Sequence, residues 1–153
     1  METTRHFVAT VYVVNDGATL LHEHGKLGLW LPPGGHIDRD ELPHEAAKRE
    51  VREETGLDVT LVCEHDDVSS PTVTSLPEPV HLLLEDINVH EAGVGHQHID
   101  FVYYGRADSR ELAPADGEQG TEAWEWVGPE ELDERRFDAD VARLGREAIS
   151  LLE

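Results

Sequence analysis

From Phe7 to Val14 the chain runs FVATVYVV, β-branched and aromatic residues at almost every position, which predicts a strand. Asn15-Asp16-Gly17 then supplies a turn, and Ala18 to His22 its hairpin partner. Leu27 to Leu31 predicts a short third strand. Pro32-Pro33-Gly34-Gly35 reads as a loop, since two prolines followed by two glycines suit neither a ladder nor a helix. Over Glu41 to Thr55 the pattern becomes helical, with Pro43 at the first helical position, Glu45 placed to reach back, and Gly56 as the stop. Leu42, at the N-cap, brings no side-chain acceptor. Further strands are predicted at Val59 to Cys63, near Val80 to Leu84, at Ile99 to Arg106 and at Ala123 to Val127. Asp138 to Leu152 closes the chain as a helix with Val141, Leu144, Ala148, Ile149 and Leu152 on one side. Residues 66–97, rich in Pro, Ser, Asp, Glu and His around one short strand, read as long surface loops, the kind that often carry specificity.

Strands that bracket one central helix, with another helix at the end, predict a mixed β-sheet covered on both faces, an α/β sandwich. The 153 residues fit one domain spanning 1–153, long enough to bury about 70% of the unfolded surface. The single cysteine, Cys63, leaves no internal disulfide, and its apolar surroundings suggest a buried thiol rather than a nucleophile. No apolar run approaches the length of a membrane span and the N-terminus is not signal-like, so a soluble, cytoplasmic protein is expected.

Charge narrows the picture. The formal net charge is −21, from 33 acidic against 12 basic residues, and only Lys26 and Lys48 are lysines. An acidic disordered chain would fit this charge but not the 39% apolar content and clear strand patterns. A folded protein adapted to strong salt, from a halophilic source, fits both, because screening removes the self-repulsion. Nucleic acid is not expected as a partner, since no basic patch could neutralise a phosphate backbone.

The chemistry concentrates between Gly35 and Leu57. Glu50, Glu53 and Glu54 stand at i, i+3 and i+4, so their carboxylates project within one sector of about 100°. Charge density alone favours a solvated helix face tied by pairs such as Glu45–Arg49 and Arg49–Glu53. Three like charges so close are, however, easier to explain around a cation, and oxygen-only ligands select a hard ion such as Mg²⁺ or Mn²⁺. Gly34 and Gly35, without Cβ atoms, would let a carbonyl and a phosphate approach.

Spacing decides between these readings. Gly35, five residues, Glu41, seven residues, Arg49-Glu50-Val51, one residue, Glu53-Glu54, one residue, Gly56-Leu57 match every position of the Nudix box. The chain therefore resembles the Nudix hydrolase family, and Leu29-Trp30-Leu31-Pro32-Pro33-Gly34 and Trp124-Glu125-Trp126-Val127-Gly128-Pro129-Glu130-Glu131-Leu132 resemble the family's flanking segments. The likeness covers roughly residues 5 to 133. It implies a Nudix-type α/β/α sandwich with a central mixed sheet, and hydrolysis of a nucleoside diphosphate linked to another moiety with Mg²⁺ or Mn²⁺. By that resemblance Glu53, Glu54 and the carbonyl of Gly35 match metal ligands, and Glu50 matches a ligand or general base. Arg49 matches the arginine that orients the carboxylates, and Glu41 a supporting glutamate. A further carboxylate is expected from the loop Asp116–Glu122, with Glu118 favoured over Glu122 because glycines flank it.

The partner implied is a small-molecule nucleotide, and a homodimer is left open. Between an ADP-ribose or nucleotide-sugar pyrophosphatase and a sanitiser of oxidised nucleoside triphosphates the sequence does not choose. A catalytically silent nucleotide-sensing domain is the alternative, though it would be expected to lose box carboxylates, and an RNA-processing enzyme is disfavoured by charge. His96-x-His98-x-Asp100 alternates at strand period and could bind zinc, yet no fourth ligand is evident, so a polar face near the substrate is the favoured reading. Tyr12, Trp30 and Trp124 are nucleobase-stacking candidates more simply read as core. Arg5, Lys26 and Arg106 are the sparse cations available for a phosphate.

Overall fold

The computed structural model describes residues 2–25 and 28–152. The predicted hairpin forms from β1 (Thr4–Asn15) and β2 (Ala18–His24), turning at Asp16 and Gly17, whose φ values are 46° and 77°. Successive β1 side chains enter two different cores: Ala9, Val11 and Val13 one, Tyr12 and Val14 the other. Burial on both faces explains why the segment is apolar at nearly every position instead of alternating.

β3 (Leu29–Leu31) pairs with β2, and β4 (Gly34–His36) pairs antiparallel with β1, Ala9 opposite Gly35. The predicted third strand keeps its Leu29 to Leu31 portion, while Lys26 and Leu27 lie outside the described residues. The loop expected across Pro32–Gly35 is corrected here: only the prolines form it, and both glycines join the ladder. The reason is steric, because a Cβ on Gly34 would lie 2.5 Å from the Ala9 carbonyl, so only glycine lets the strands approach this closely.

Helix α1 (Pro43–Thr55) follows. The Glu45 carboxylate accepts from the Leu42 N–H at 2.9 Å, and Gly56, at φ 77°, donates its N–H to the Arg52 carbonyl at 2.8 Å. Glu45 thus caps the helix and does not form the ion pair with Arg49 that its spacing suggested. Then come β5 (Val59–Leu61), the small hairpin β6 (Ser69–Ser70) and β7 (Val73–Thr74), the long hairpin β8 (His81–His90) and β9 (Gly93–Ala107), β10 (Trp124–Val127) and α2 (Ala139–Leu152).

The main sheet runs β10-β2-β1-β9-β5, with β8 on β9. β1 and β9 are parallel and the other pairings antiparallel, so the sheet is mixed. Helix α1 covers one face through Ala46, Ala47 and Val51, and α2 covers the other through Val141, Leu144, Ala148, Ile149 and Leu152. The fold is the expected α/β/α sandwich. Each fully buried aliphatic side chain in these layers contributes about 1.5–3 kcal/mol.

In the region 66–97, expected as surface loops around one short strand, the strand predicted near Val80 to Leu84 is present but runs over 81–90, and 93–97 is strand as well. Its alternation is inverted: Leu82 and Leu84 face outward, 63% and 60% exposed, while His81, Leu83 and Glu85 turn inward. Charge on the inner face hid the strand's full length.

Candidate active site

Burial of Ala46, Ala47 and Val51 against the sheet fixes the rotation of α1. Glu50 and Glu54 then lie at the border of the packed face, next to β4, while Glu53 stands further out: the Glu50 side chain is 16% exposed and that of Glu53 45%. Glu54 accepts from the Gly34 N–H at 2.8 Å. Burial pushes its carboxyl up to about 8, and the charges of Glu50, Glu118 and Glu53 push the same way against that hydrogen bond. The Glu50 carboxyl is raised as well, first by burial, with Arg49 opposing.

Arg49 organises the group. Its Nε and Nη2 donate to the two oxygens of Glu41 at 2.6 and 2.9 Å, and its Nη1 donates to Glu50 at 2.8 Å and Glu53 at 3.2 Å. Nη2 also donates to the His36 carbonyl at 3.0 Å, which ties α1 to β4. Glu41 is held below the usual carboxylate range by Arg49 and accepts from the Asp38 N–H at 3.0 Å. A Cβ on Gly35 would lie 2.5–2.7 Å from the carboxyl atoms of Glu50, so the bare glycine is what admits this carboxylate.

The loop before β10 is pinned to the same place. Ala113 and Ala115 donate their N–H groups to the carbonyls of Thr55 and Glu53, both at 2.8 Å. Beyond them Gly117, at φ 88°, turns the chain so that Glu118 lines a cleft of about 1030 Å³ together with Gly34, Gly35 and Glu54. Glu122 does not line the cleft, and its carboxylate sits over Gly120.

The structure thus brings together Gly35, Glu41, Arg49, Glu50, Glu53, Glu54 and Glu118. These carboxylates suit a hard divalent ion on two grounds: acids raised in part by one another are relieved by positive charge, and the side-chain donors of the set are carboxylate oxygens, which hard ions select.

The cleft also holds Glu85 and His22, which the sequence pattern does not single out, and Asp100, which it offered beside His96 and His98 as a zinc ligand. Asp100, 4% exposed, accepts from the Thr10 hydroxyl at 2.7 and 2.9 Å and shares a hydrogen bond with Glu85. Burial, then Asp100, pushes Glu85 up to about 9, so this carboxyl pair retains a proton at neutral pH. The inward period of His81, Leu83 and Glu85 was the available signal for Glu85. His22, hydrogen-bonded to Gln119 at 2.8 Å and stacked on Trp124 with ring centroids 4.3 Å apart, lines another wall.

Tyr12 and Trp124 are 3% and 8% exposed and belong to the two cores, while Trp30 packs against Phe137 under the Arg136 guanidinium. Arg5 donates to the Gln97 side chain and Arg106 to the Leu152 carbonyl, and neither lines the cleft; Lys26 lies outside the described residues. Cys63 is a half-buried free thiol, and burial raises its pKa. No helix among the described residues is long and apolar enough to cross a membrane.

A helix-borne carboxylate cluster beside a glycine strand and a deep cleft defines a class before it defines a substrate. Residues 4–147 match the NUDIX domain model, and the chain belongs to the Nudix hydrolase family. It is 37% identical to a NUDIX-family hydrolase of known structure from Clostridium perfringens, with 98% of this chain and 99% of that one covered and a TM-score of 0.83. An RNA pyrophosphohydrolase from Rhizobium meliloti is 34% identical over 113 residues, covering 71% of this chain and 64% of that protein's length. A second RNA pyrophosphohydrolase, from Gluconacetobacter diazotrophicus, is 30% identical over 76% of this chain and 68% of its own.

Proposed function

We propose that the protein is a divalent-metal-dependent pyrophosphohydrolase acting on a nucleoside diphosphate linked to another moiety. Glu53, Glu54, Glu50, the Gly35 carbonyl and Glu118 would hold Mg²⁺ or Mn²⁺. The observation that carries this reading is Glu54, a buried carboxyl raised to about 8 among three other carboxylates at the wall of a large cleft. Bound there, a divalent ion would supply neutralisation of the diphosphate charge and a lowered pKa for the attacking water.

The chain's own residues do the rest. Arg49 keeps Glu50 and Glu53 in fixed orientations, and the Gly34 N–H does the same for Glu54. Water attacks one phosphorus, the anhydride P–O bond breaks, and the water's proton passes to a carboxylate, Glu50 or Glu118. Glu118 is preferred to Glu122 as the loop carboxylate because it faces the cleft and its charge acts on both Glu50 and Glu54.

Substrate choice lies between an ADP-ribose or nucleotide-sugar compound and an oxidised nucleoside triphosphate. The names of the Rhizobium and Gluconacetobacter relatives, RNA pyrophosphohydrolase, add RNA to the classes worth testing, against which the net charge of −21 argues through repulsion of the phosphate backbone. Incubation with Mg²⁺ and one compound of each class, with phosphate products identified, tests the reading. Release of a nucleoside monophosphate from a small nucleotide is the expected result. Binding of nucleotide without turnover of any compound would replace the hydrolase with a sensing domain.

A further inference from the structure

Strand pairing gathers four histidines that are far apart in sequence. In the parallel ladder of β1 with β9, His6 stands opposite His98 and Thr4 opposite His96. His96 and His98, two residues apart on one strand, share a face. On the other side of β1, β4 places His36 opposite Val8, diagonal to His6. One nitrogen each from His6, His96 and His98 lie within 4.8 Å of one another. His36 closes a fourth side: its Nε2 is 3.2 Å from His6 Nδ1, and its ring centroid is 5.2 Å from that of His98.

We propose that His6, His96 and His98, with His36 as the fourth group, form a site for a borderline transition-metal ion, Zn²⁺ above all, beside the carboxylate cluster and made of different ligands. Tetrahedral zinc with bonds of about 2.0–2.1 Å needs nitrogens about 3.3 Å apart. The His6–His36 pair already has that separation, and rotation of the exposed His6 ring narrows the rest. A supporting contact sets the tautomer of one ligand. The Thr4 hydroxyl lies 3.2 Å from the Gly95 carbonyl and 2.8 Å from His96 Nδ1; when it donates to the carbonyl, it accepts from Nδ1–H, the tautomer that leaves the His96 Nε2 lone pair for the metal. Imidazole nitrogens select zinc, copper or nickel over Mg²⁺, whereas the glutamates of α1 select the reverse. This site does not rest on the hydrolytic reading.

The test is a competition titration of Zn²⁺ against a chromophoric chelator, using the full chain without a histidine tag in excess Mg²⁺. One Zn²⁺ per chain is expected, with affinity weakened at least about tenfold in the His6→Ala/His98→Ala double variant and unchanged in Glu53→Gln/Glu54→Gln. As a second readout, Co²⁺ should give intense tetrahedral absorption bands in the natural chain that His96→Asn abolishes. Zn²⁺ affinity that survives the histidine changes, or that is lost with the glutamates, would overturn the assignment.

Discussion

Glu50, Glu53 and Glu54 stand on adjacent turns of one helix, whereas His6, His36, His96 and His98 arrive from three strands spread over about 90 residues of chain. The two clusters are neighbours: Arg49, which orients the glutamates, also grips the His36 carbonyl at 3.0 Å, and His36 and His98 line the same cleft as Gly35, Glu54 and Glu118. They differ in hardness, oxygen against imidazole nitrogen, and in how they are held. Arg49 Nη1 donates to Glu50 and Glu53 and the Gly34 N–H donates to Glu54, while of the histidines His96 is braced by Thr4 and His6 and His36 are exposed. The rigid cluster is suited to chemistry and the looser one to binding.

If that contrast is right, the largest effect belongs to the helix. Glu53→Gln or Glu54→Gln should lower kcat beyond the roughly 10–100-fold typical of outer-shell changes, with the melting temperature kept. Turnover unchanged in both would remove the carboxylates from the chemistry. Next comes the loop that faces them: Glu118→Gln should cost at least about tenfold in kcat and Glu122→Gln almost nothing, and the reverse order would move the role to Glu122.

The same contrast between local and assembled features explains what the sequence could and could not reveal. A helical motif has fixed geometry once its period is known, so Glu50, Glu53, Glu54 and Arg49 could be placed from spacing alone. Glu118 was named because the resemblance implies a further carboxylate shortly before the late strand, and the glycines around it chose it over Glu122. His6 and His36 were invisible, because nothing local says that β1 will lie parallel to β9 or that Gly34 and Gly35 will enter the ladder. The inward-facing Glu85 was hidden for another reason. A strand whose polar side turns inward contradicts the usual pattern, so only the stretch near Val80 to Leu84 read as strand and the rest, to 97, as loop.

Smaller effects sharpen the description of the cleft. Glu85 is raised from its ordinary 4.5 to about 9, so between those values the folded protein holds a proton that the unfolded chain releases. Stability must therefore fall as pH rises through that window, with a slope of up to about 1.4 kcal/mol per pH unit. Glu85→Gln keeps a hydrogen-bonding amide and needs no such proton, so its stability should decline less between pH 5 and 8. Parallel profiles for the two proteins, followed by denaturant melts, would remove the proton from the Glu85–Asp100 pair.

The smallest effect concerns the whole surface. With a charge of −21, the melting temperature should rise by several degrees from dilute to 1 M KCl, where the Debye length is about 3 Å. A flat or falling series would argue against adaptation to brine.

The most direct test of the carboxylate cluster is turnover of the best small-nucleotide substrate as Mg²⁺ is titrated into chelator-stripped protein, for the natural chain and Glu54→Gln in parallel. The account predicts no turnover without the ion, saturable recovery in the natural chain, and recovery in the variant that is far weaker and needs more Mg²⁺. Equal turnover with and without the ion, or identical Mg²⁺ curves for the two proteins, would contradict it.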